Sequence, residues 1–325
     1  MDLEKALAEY DFILTEAAVI ETLRRSTKIT LHPELVNARL IYDESGRLAI
    51  TGLINDFIAL AHEIDVPITI TTPTWRANRE RLTAVGEERD VNGDAVAFIN
   101  EIKEAWGSWR EKIIVGGLMS CKNDCYLPEE GLDIVEAEVF HTWQSSRLSA
   151  AGIDFLVAQT LPALPEAIGL ARAMAATETP YVISFVINRK GRLLDGHSLA
   201  EAMVTIDASV EKPPLGYMVN CAYPSFLKAE LEPDAVLSRL IGFQANASSL
   251  DHDQLNEAEK LQVDEVSDWG RRMVTLNRHF GVRILGGCCG TGVAHLGYLT
   301  SHLVAHRDLL PAADCSLSID SASPE

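Results

Sequence analysis

Short apolar runs recur along the chain, and the stretches between them carry apolar residues at helical spacing. The runs are FILT (12–15), VPITITT (66–72), KIIVGG (112–117), GIDFLVAQT (152–160), PYVISFVI (180–187), GYMVNC (216–221), LIGFQAN (240–246) and VRILGG (282–287). Most are rich in β-branched residues and lack the strict alternation of a half-exposed strand. That is the pattern of parallel strands covered on both faces. Between them, ALPEAIGLARAMAAT (163–177) and EAEKLQVDEVSDWGRRMVTLNRHF (257–280) are predicted helices. Eight strands, each followed by room for a helix, predict an α/β fold of the (β/α)8 TIM-barrel type; a doubly wound open sheet is the other arrangement the pattern admits. No Pro/Gly/Ser linker divides the chain. The expected organisation is therefore one barrel domain over 1–310, followed by a small, polar, flexible tail over 311–325.

Composition narrows the partners. Against 28 Lys and Arg stand 47 Asp and Glu, a formal charge of −19 over 325 residues. That balance disfavours nucleic acid and anionic membrane, which both call for clustered cations. Six Cys are too sparse for a disulfide scaffold. The N-terminal stretch lacks a basic region, and Asp11, Glu16 and Glu21 interrupt its apolar residues, so no export signal is expected. No apolar run is long enough to span a bilayer. A cytoplasmic protein with reduced thiols and small-molecule partners follows as the expectation. Nothing in the pattern marks a subunit interface.

In such a barrel the C-terminal ends of the strands carry the chemistry. Those ends hold Glu16, then Thr71, Thr72 and Trp75, then Gln159 and Thr160, then Asn220 and Cys221, then Asn246, and finally Gly286 through Thr291. The densest feature is RILGGCCGTG (283–292), with Cys288 and Cys289 adjacent. Three thiols meeting at one rim (Cys221, Cys288 and Cys289) would hold Zn²⁺ and leave a fourth tetrahedral position open, the mark of a catalytic rather than a structural site. A thiolate-rich site suits zinc and would take an incoming thiol. The plainer reading is a pair of buried small hydrophobes, or a vicinal disulfide, with Cys221 separate in the core. A phosphate loop is a further reading, but the stretch lacks the lysine of a P-loop.

VNCAYPSFL (219–227) and RILGGCCGTGVAHL (283–296) resemble the two zinc motifs of the homocysteine S-methyltransferase family, which includes betaine–homocysteine methyltransferase. TTPTWRAN (71–78), SFVINRKGRLLDGHSLAEA (184–202) and IGFQANASSL (241–250) agree more weakly, so the resemblance runs from roughly residue 12 to 300 and is denser in the second half. It implies a TIM barrel, Cys221, Cys288 and Cys289 as zinc ligands, a homocysteine sulfur completing the site, and methionine as product. Two departures stand out. Where the family opens with an Asp-Gly-Gly-type element, this chain has Thr15-Glu16-Ala17-Ala18. Where the family has Glu-Thr after the fourth strand, this chain has Gln159-Thr160. An amide accepts a hydrogen bond from an ammonium without the charge-assisted component. Both changes touch amino-acid recognition and spare the metal.

Other positions carry paired expectations. Glu16 either orients a substrate ammonium or sits as a carboxylate at a helix N-terminus. Gln159 and Thr160 are expected on the substrate, with a cap on the following turn as the alternative for Gln159, and Trp75 either walls the pocket or packs on a helix. Asn220 and Asn246 contact substrate or position loops, and Thr291 is expected to cap the following helix. Cys121 and Cys125 read as a surface-loop pair with no ligand role, the alternative being a redox or methyl-donor role near the barrel mouth after the third strand, and Cys315 as incidental. His141, His197, His252 and His295 fall in no metal-binding pattern. GEERD (86–90) and ESG (44–46) read as solvated loops. The expected activity is zinc-dependent methyl transfer from a small sulfonium or betaine-type donor to a thiol, homocysteine first. A methyltransferase for a different thiol, or a non-catalytic zinc-thiolate barrel, is the alternative.

Overall fold

The structure is a computed structural model, which describes residues 1–251 and 263–304. Eight parallel strands close into a barrel in chain order. They are β1 (Ile13–Thr15), β2 (Ile68–Thr71), β3 (Ile113–Ser120), β4 (Phe155–Leu161), β5 (Tyr181–Phe185), β6 (Gly216–Ala222), β7 (Leu240–Ala245) and β8 (Ile284–Gly287). Each falls on one of the eight apolar runs. The ring closes where Ile13 and Leu14 pair with Ile284 and Leu285.

The helices number, in order, α1 (Leu3–Glu9), α2 (Val19–Arg25), α3 (Glu44–Glu63), α4 (Arg79–Ala84), α5 (Val91–Glu104), α6 (Ile134–Ala150), α7 (Leu164–Ala175), α8 (Leu199–Ser209), α9 (Asp234–Leu237), α10 (Val266–Phe280) and α11 (Val293–Val304). The expected helix over 257–280 begins at Val266, because 263–265 are not helical and 257–262 lie outside the described residues. The tail over 311–325, residues 305–310, His252 and Cys315 also lie outside them. ESG (44–46) is not a loop. The Asp43 carboxylate accepts from the Gly46 N–H at 2.9 Å and starts α3 there. Gly46 is buried, with Leu40 where a Cβ would stand. GEERD is a loop, but its Glu87 carboxylate is held by Arg39 at 3.4 Å and Arg89 at 2.6 Å rather than left in water.

Two apolar layers hold the barrel. Strand side chains facing outward pack against the helices in one large core. Inward-facing residues, among them Ile13, Ile114, Phe155, Val157, Val182, Met218 and Ile284, fill the interior, and Leu3 and Ala6 of α1 join that cluster. The interior is thus packed, with a few buried hydroxyls such as that of Thr15, which donates to Thr69 O at 3.3 Å, and the C-terminal end of the strands is left to hold a cavity. Among the described residues no helix is long and apolar enough to cross a membrane.

Candidate metal centre

The three cysteines reach one point by different local devices. Cys221 lies at the end of β6 with φ of 53°, and Thr160 at the end of β4 with φ of 61°. Both are non-glycine residues in the left-handed region, and the strand register shifts at each of them. Such positions cost about 1–3 kcal/mol each and persist where neighbours over-determine them. Asn220 is that neighbour. Its Oδ1 accepts from the Thr160 N–H at 2.8 Å and the Ser184 hydroxyl at 2.7 Å. Its Nδ2 donates to Thr160 Oγ1 at 2.7 Å and to Cys221 Sγ at 3.2 Å. The bulge turns the Cys221 side chain into the mouth, and the asparagine locks it there.

Cys288 and Cys289 follow β8 on a loop sewn to both neighbouring strands. Cys288 N–H donates to Ala245 O at 2.8 Å, and Cys289 O accepts from Ala247 N–H at 2.9 Å. On the other side Gly287 N–H donates to Glu16 O at 3.0 Å. This approach needs glycine: a Cβ on Gly286 would stand 2.7 Å from Glu16 O, and one on Gly287 would stand 2.0 Å from Thr291 Oγ1. Thr291 does not cap α11 as expected. Its hydroxyl donates to Cys288 O at 2.6 Å and folds the loop back on itself, while Gly292 N–H is met by His295 Nδ1 at 3.3 Å.

The outcome is three Sγ atoms within 4.8 Å of one another. Sulfurs bound tetrahedrally at 2.3 Å from a zinc ion stand about 3.8 Å apart, so the spacing fits one ion with little adjustment. Hydrogen bonds from Cys288, then Cys289, hold Cys221 well below the ordinary thiol range. Cys288 is pushed well up in return, and Cys289 to about 12, each first by its hydrogen bond to Cys221. The five described cysteines are all free thiols, so the adjacent pair forms no vicinal disulfide.

A cavity of about 320 Å³ opens over the sulfurs. All eight predicted site residues line it: Glu16, Trp75, Gln159, Thr160, Asn220, Cys221, Cys288 and Cys289. Glu16 is not at a helix N-terminus, since α2 starts at Val19 behind Ala18. Its carboxylate accepts from Thr71 N–H at 3.0 Å and from the Thr71 hydroxyl at 2.5 Å. Burial nonetheless pushes its pKa from an ordinary 4.5 up to about 7. Gln159 donates through Nε2 to Gln244 Oε1 at 2.5 Å. Trp75 walls the cavity, with the buried Arg76 guanidinium 4.2 Å over its ring.

Cys121 and Cys125 are buried, at 2% and 6% exposure, and not on the surface. Cys125 lines the cavity, yet neither thiol joins the three-sulfur group. Their loop is pinned by buried charge: Arg76 donates to the carbonyls of Cys121, Lys122 and Asn123, and Glu166 accepts from Lys122 N–H at 2.7 Å and Leu132 N–H at 3.3 Å. Glu166 also meets His141 Nε2 at 2.9 Å, which makes His141 a core residue. His197 pairs with Asp195 at 3.0 Å, and His295 packs edge-on against Trp269. None of these histidines reaches the sulfurs.

Sequence reasoning missed Tyr126, whose hydroxyl hydrogen-bonds Cys221. It also missed Gln244, Asn37 and Arg24, all in the cavity wall. Gln244 sat in a stretch already noted, IGFQAN, and its place at a strand end was the available signal. Asn37 lies on a loop that carried no motif, and Tyr126 follows Cys125 on the loop read as a surface pair.

Known proteins can now be set beside this geometry. The family model for homocysteine S-methyltransferase matches residues 13–303. The chain is similar to the homocysteine methyltransferase MmuM from Escherichia coli in its metallated form, at 18% identity and a TM-score of 0.71, over 92% of this chain and 99% of that one. The oxidised form of MmuM gives the same identity and TM-score over 91% and 97%, and the apo form a TM-score of 0.61 at 17% identity. At this identity the likeness speaks for the fold. Comparison with curated proteins finds no match.

Proposed function

The chain belongs to the homocysteine S-methyltransferase family, and from that premise we propose that it is a zinc-dependent S-methyltransferase. It moves a methyl group from a small sulfonium or betaine-type donor to a thiol, with homocysteine as the acceptor and methionine as the product. The observation that carries this reading is the meeting of Cys221, Cys288 and Cys289 at the floor of a cavity large enough for a small acceptor and donor. That the neighbouring MmuM is described in a metallated form adds support for a metal. Three thiolates with an open fourth position suit zinc, which when bound supplies positive charge that holds an acceptor thiol deprotonated near neutral pH.

The chain's own residues do the rest. Asn220 holds the Cys221 sulfur by a direct N–H···S contact and is itself tied to the backbone of Thr160 on β4. The Cys288–Cys289 loop is fixed by Thr291 from within and by β1 and β7 from either side. Trp75, Leu118 and Pro73 give the cavity an apolar wall that displaces water from the reacting atoms. The acceptor sulfur attacks the donor methyl carbon in line. The new S–C bond forms as the donor's bond from methyl to its positive heteroatom breaks, the electron pair stays on that heteroatom, and the thiol proton has passed to solvent. Because a thiolate is already a good nucleophile, alignment supplies much of the rate. Metal analysis coupled to a panel of thiols and methyl donors tests the proposal. Stoichiometric zinc and a thioether product are expected. Zinc with no product from any thiol would leave a metal-binding barrel without turnover, and no zinc at all would remove the reading.

A further inference from the structure

One cation in the cavity wall is left without a counter-charge. Four charged residues line the cavity: Glu16, Glu21, Arg24 and Arg25. Arg25 is matched, since its guanidinium meets Glu21 at 2.7 Å. Glu21 also takes the N–H of Gly290, so the carboxylate one turn before Arg24 is already committed. Glu16 accepts from Thr71 and pairs with no cation, which leaves it able to take a substrate ammonium. Arg24 is exposed and makes no ion pair with any described residue. It lies close enough for its charge to act on the Cys289 thiol. A cation in the last turn of α2 suits the helix dipole, but Arg25 already supplies one. Asn37 stands in the same cavity wall, 3% exposed, with no partner for its Oδ1. A buried amide left open in this way is a second polar group available to a ligand.

The cavity thus keeps its charges apart. Glu16 and the three sulfurs form one pole, and the exposed guanidinium of Arg24 forms the other. A carboxylate is repelled by the first and drawn to the second, where a planar guanidinium offers it two parallel N–H groups. We propose that Arg24 is a specificity-determining residue of this site, which selects a substrate by its carboxylate. The inference rests on the methyl-transfer reading of the same cavity. Two substrates can bring that carboxylate. Homocysteine can give its ammonium to Glu16 and its carboxylate to Arg24. A zwitterionic donor can turn its onium methyl to the sulfurs and its carboxylate to Arg24. The chemistry recognised is the same in both cases, and the experiment separates the sources.

Substrates are compared in pairs that differ by the carboxylate alone. The thiol pair is homocysteine and 3-aminopropanethiol. The donor pairs are glycine betaine with tetramethylammonium, and S-methylmethionine with dimethyl(3-aminopropyl)sulfonium. The readouts are kcat/KM with the other substrate held fixed, and binding by calorimetry, for wild type, Arg24→Gln and Arg24→Lys. Wild type is expected to prefer the carboxylate member of at least one pair by about tenfold, the worth of one charge-assisted hydrogen bond. Arg24→Gln should lose that preference and treat the carboxylate-free member as wild type does. Arg24→Lys should recover part of it, because the charge stays and the fork is lost. Loss in the thiol pair assigns the carboxylate to the acceptor, and loss in a donor pair assigns it to the donor. An equal fall for both members of every pair would make Arg24 a structural residue and overturn the inference. So would a preference that survives Arg24→Gln, or none in wild type. If no thiol is methylated the methyl-transfer reading fails, and calorimetry on the same pairs still decides for or against Arg24.

Discussion

The mouth of the barrel has two halves built on opposite terms. Around β6 and β8 the backbone is strained, glycines bring strands into close approach, and the N–H groups of Gly287, Cys288 and Gly290 are all committed. Cys221 sits at φ 53° and is held by Asn220, while the Cys288–Cys289 loop is tied to Ala245, Ala247 and Thr291. Around β1, β4 and β7 the wall is made of paired polar side chains, Glu16 with Thr71 and Gln159 with Gln244, on backbone that any residue could adopt except at Thr160. On the proposed function, the first half would be a rigid ligand set and the second the surface that meets the substrate. If the proposed function holds, the contrast makes thiol activation and thiol choice separable: the elements that fix the sulfurs do not depend on the side chains of Gln159 and Gln244.

The sharpest way to break this division is to remove a sulfur. Cys289→Ala should lower zinc affinity by more than about 100-fold, the upper end for loss of a mere supporting hydrogen bond, and abolish methyl transfer. Bound zinc by atomic absorption and thioether formation are the readouts; retention of both would remove the metal half from the account. Next in size is a stability effect in the recognition half. Burial raises Glu16 from 4.5 to about 7 in the folded chain, so the folded state holds its proton where the unfolded state has lost it. The wild type therefore loses stability as pH rises from 4.5 to 7, by about 3 kcal/mol in all, and the loss is constant above that. Glu16→Gln removes the titration. Its stability relative to wild type should climb across that window in urea melts, with zinc content unchanged; a flat difference would show that Glu16 is solvated.

Asn220→Asp tests the link between the halves. The acceptor facing Thr160 N–H and the Ser184 hydroxyl is kept, but the Nδ2 that donates to Thr160 Oγ1 and Cys221 Sγ becomes an oxygen set against sulfur. Zinc affinity should fall about 10- to 100-fold, as for other groups that orient a ligand. An unchanged affinity would mean that the bulge at Cys221 holds without its asparagine.

These halves also differed in how plainly they could be read. The eight strands were legible because parallel strands in a barrel must be apolar on both faces, and each run in the sequence landed on a strand. Cys221, Cys288 and Cys289 were legible because thiols at strand ends have few other uses, and their motifs are specific. The recognition half was only half legible. Glu16 and Gln159 announced themselves as changes from a familiar pattern. Their partners Thr71 and Gln244 depended on which side chains meet across the mouth, and periodicity carries no record of that. Tyr126 and the burial of Cys121 and Cys125 depended on a loop whose path is set by Arg76 and Glu166, each distant in sequence. ESG misled for a local reason: three small or polar residues read as a loop, but Asp43 ahead of them is a helix cap.

The smallest effect settles how the cysteine loop is held. As a helix cap, the Thr291 hydroxyl would accept from an N–H, and Asp would serve as well or better. In the structure it donates to Cys288 O at 2.6 Å, and an ionised Asp cannot donate. Thr291→Ser should therefore stay within a few tenths of a kcal/mol of wild type, whereas Thr291→Asp should cost about 1 kcal/mol, the worth of one such bond, or more because a carboxylate then faces a carbonyl. Thermal melts of the two variants give opposite orders for the two roles. If Asp proves the more stable, the loop that carries Cys288 and Cys289 is fixed by its ties to β1 and β7 alone, and the rigidity ascribed to the metal half comes from the strands rather than from the turn.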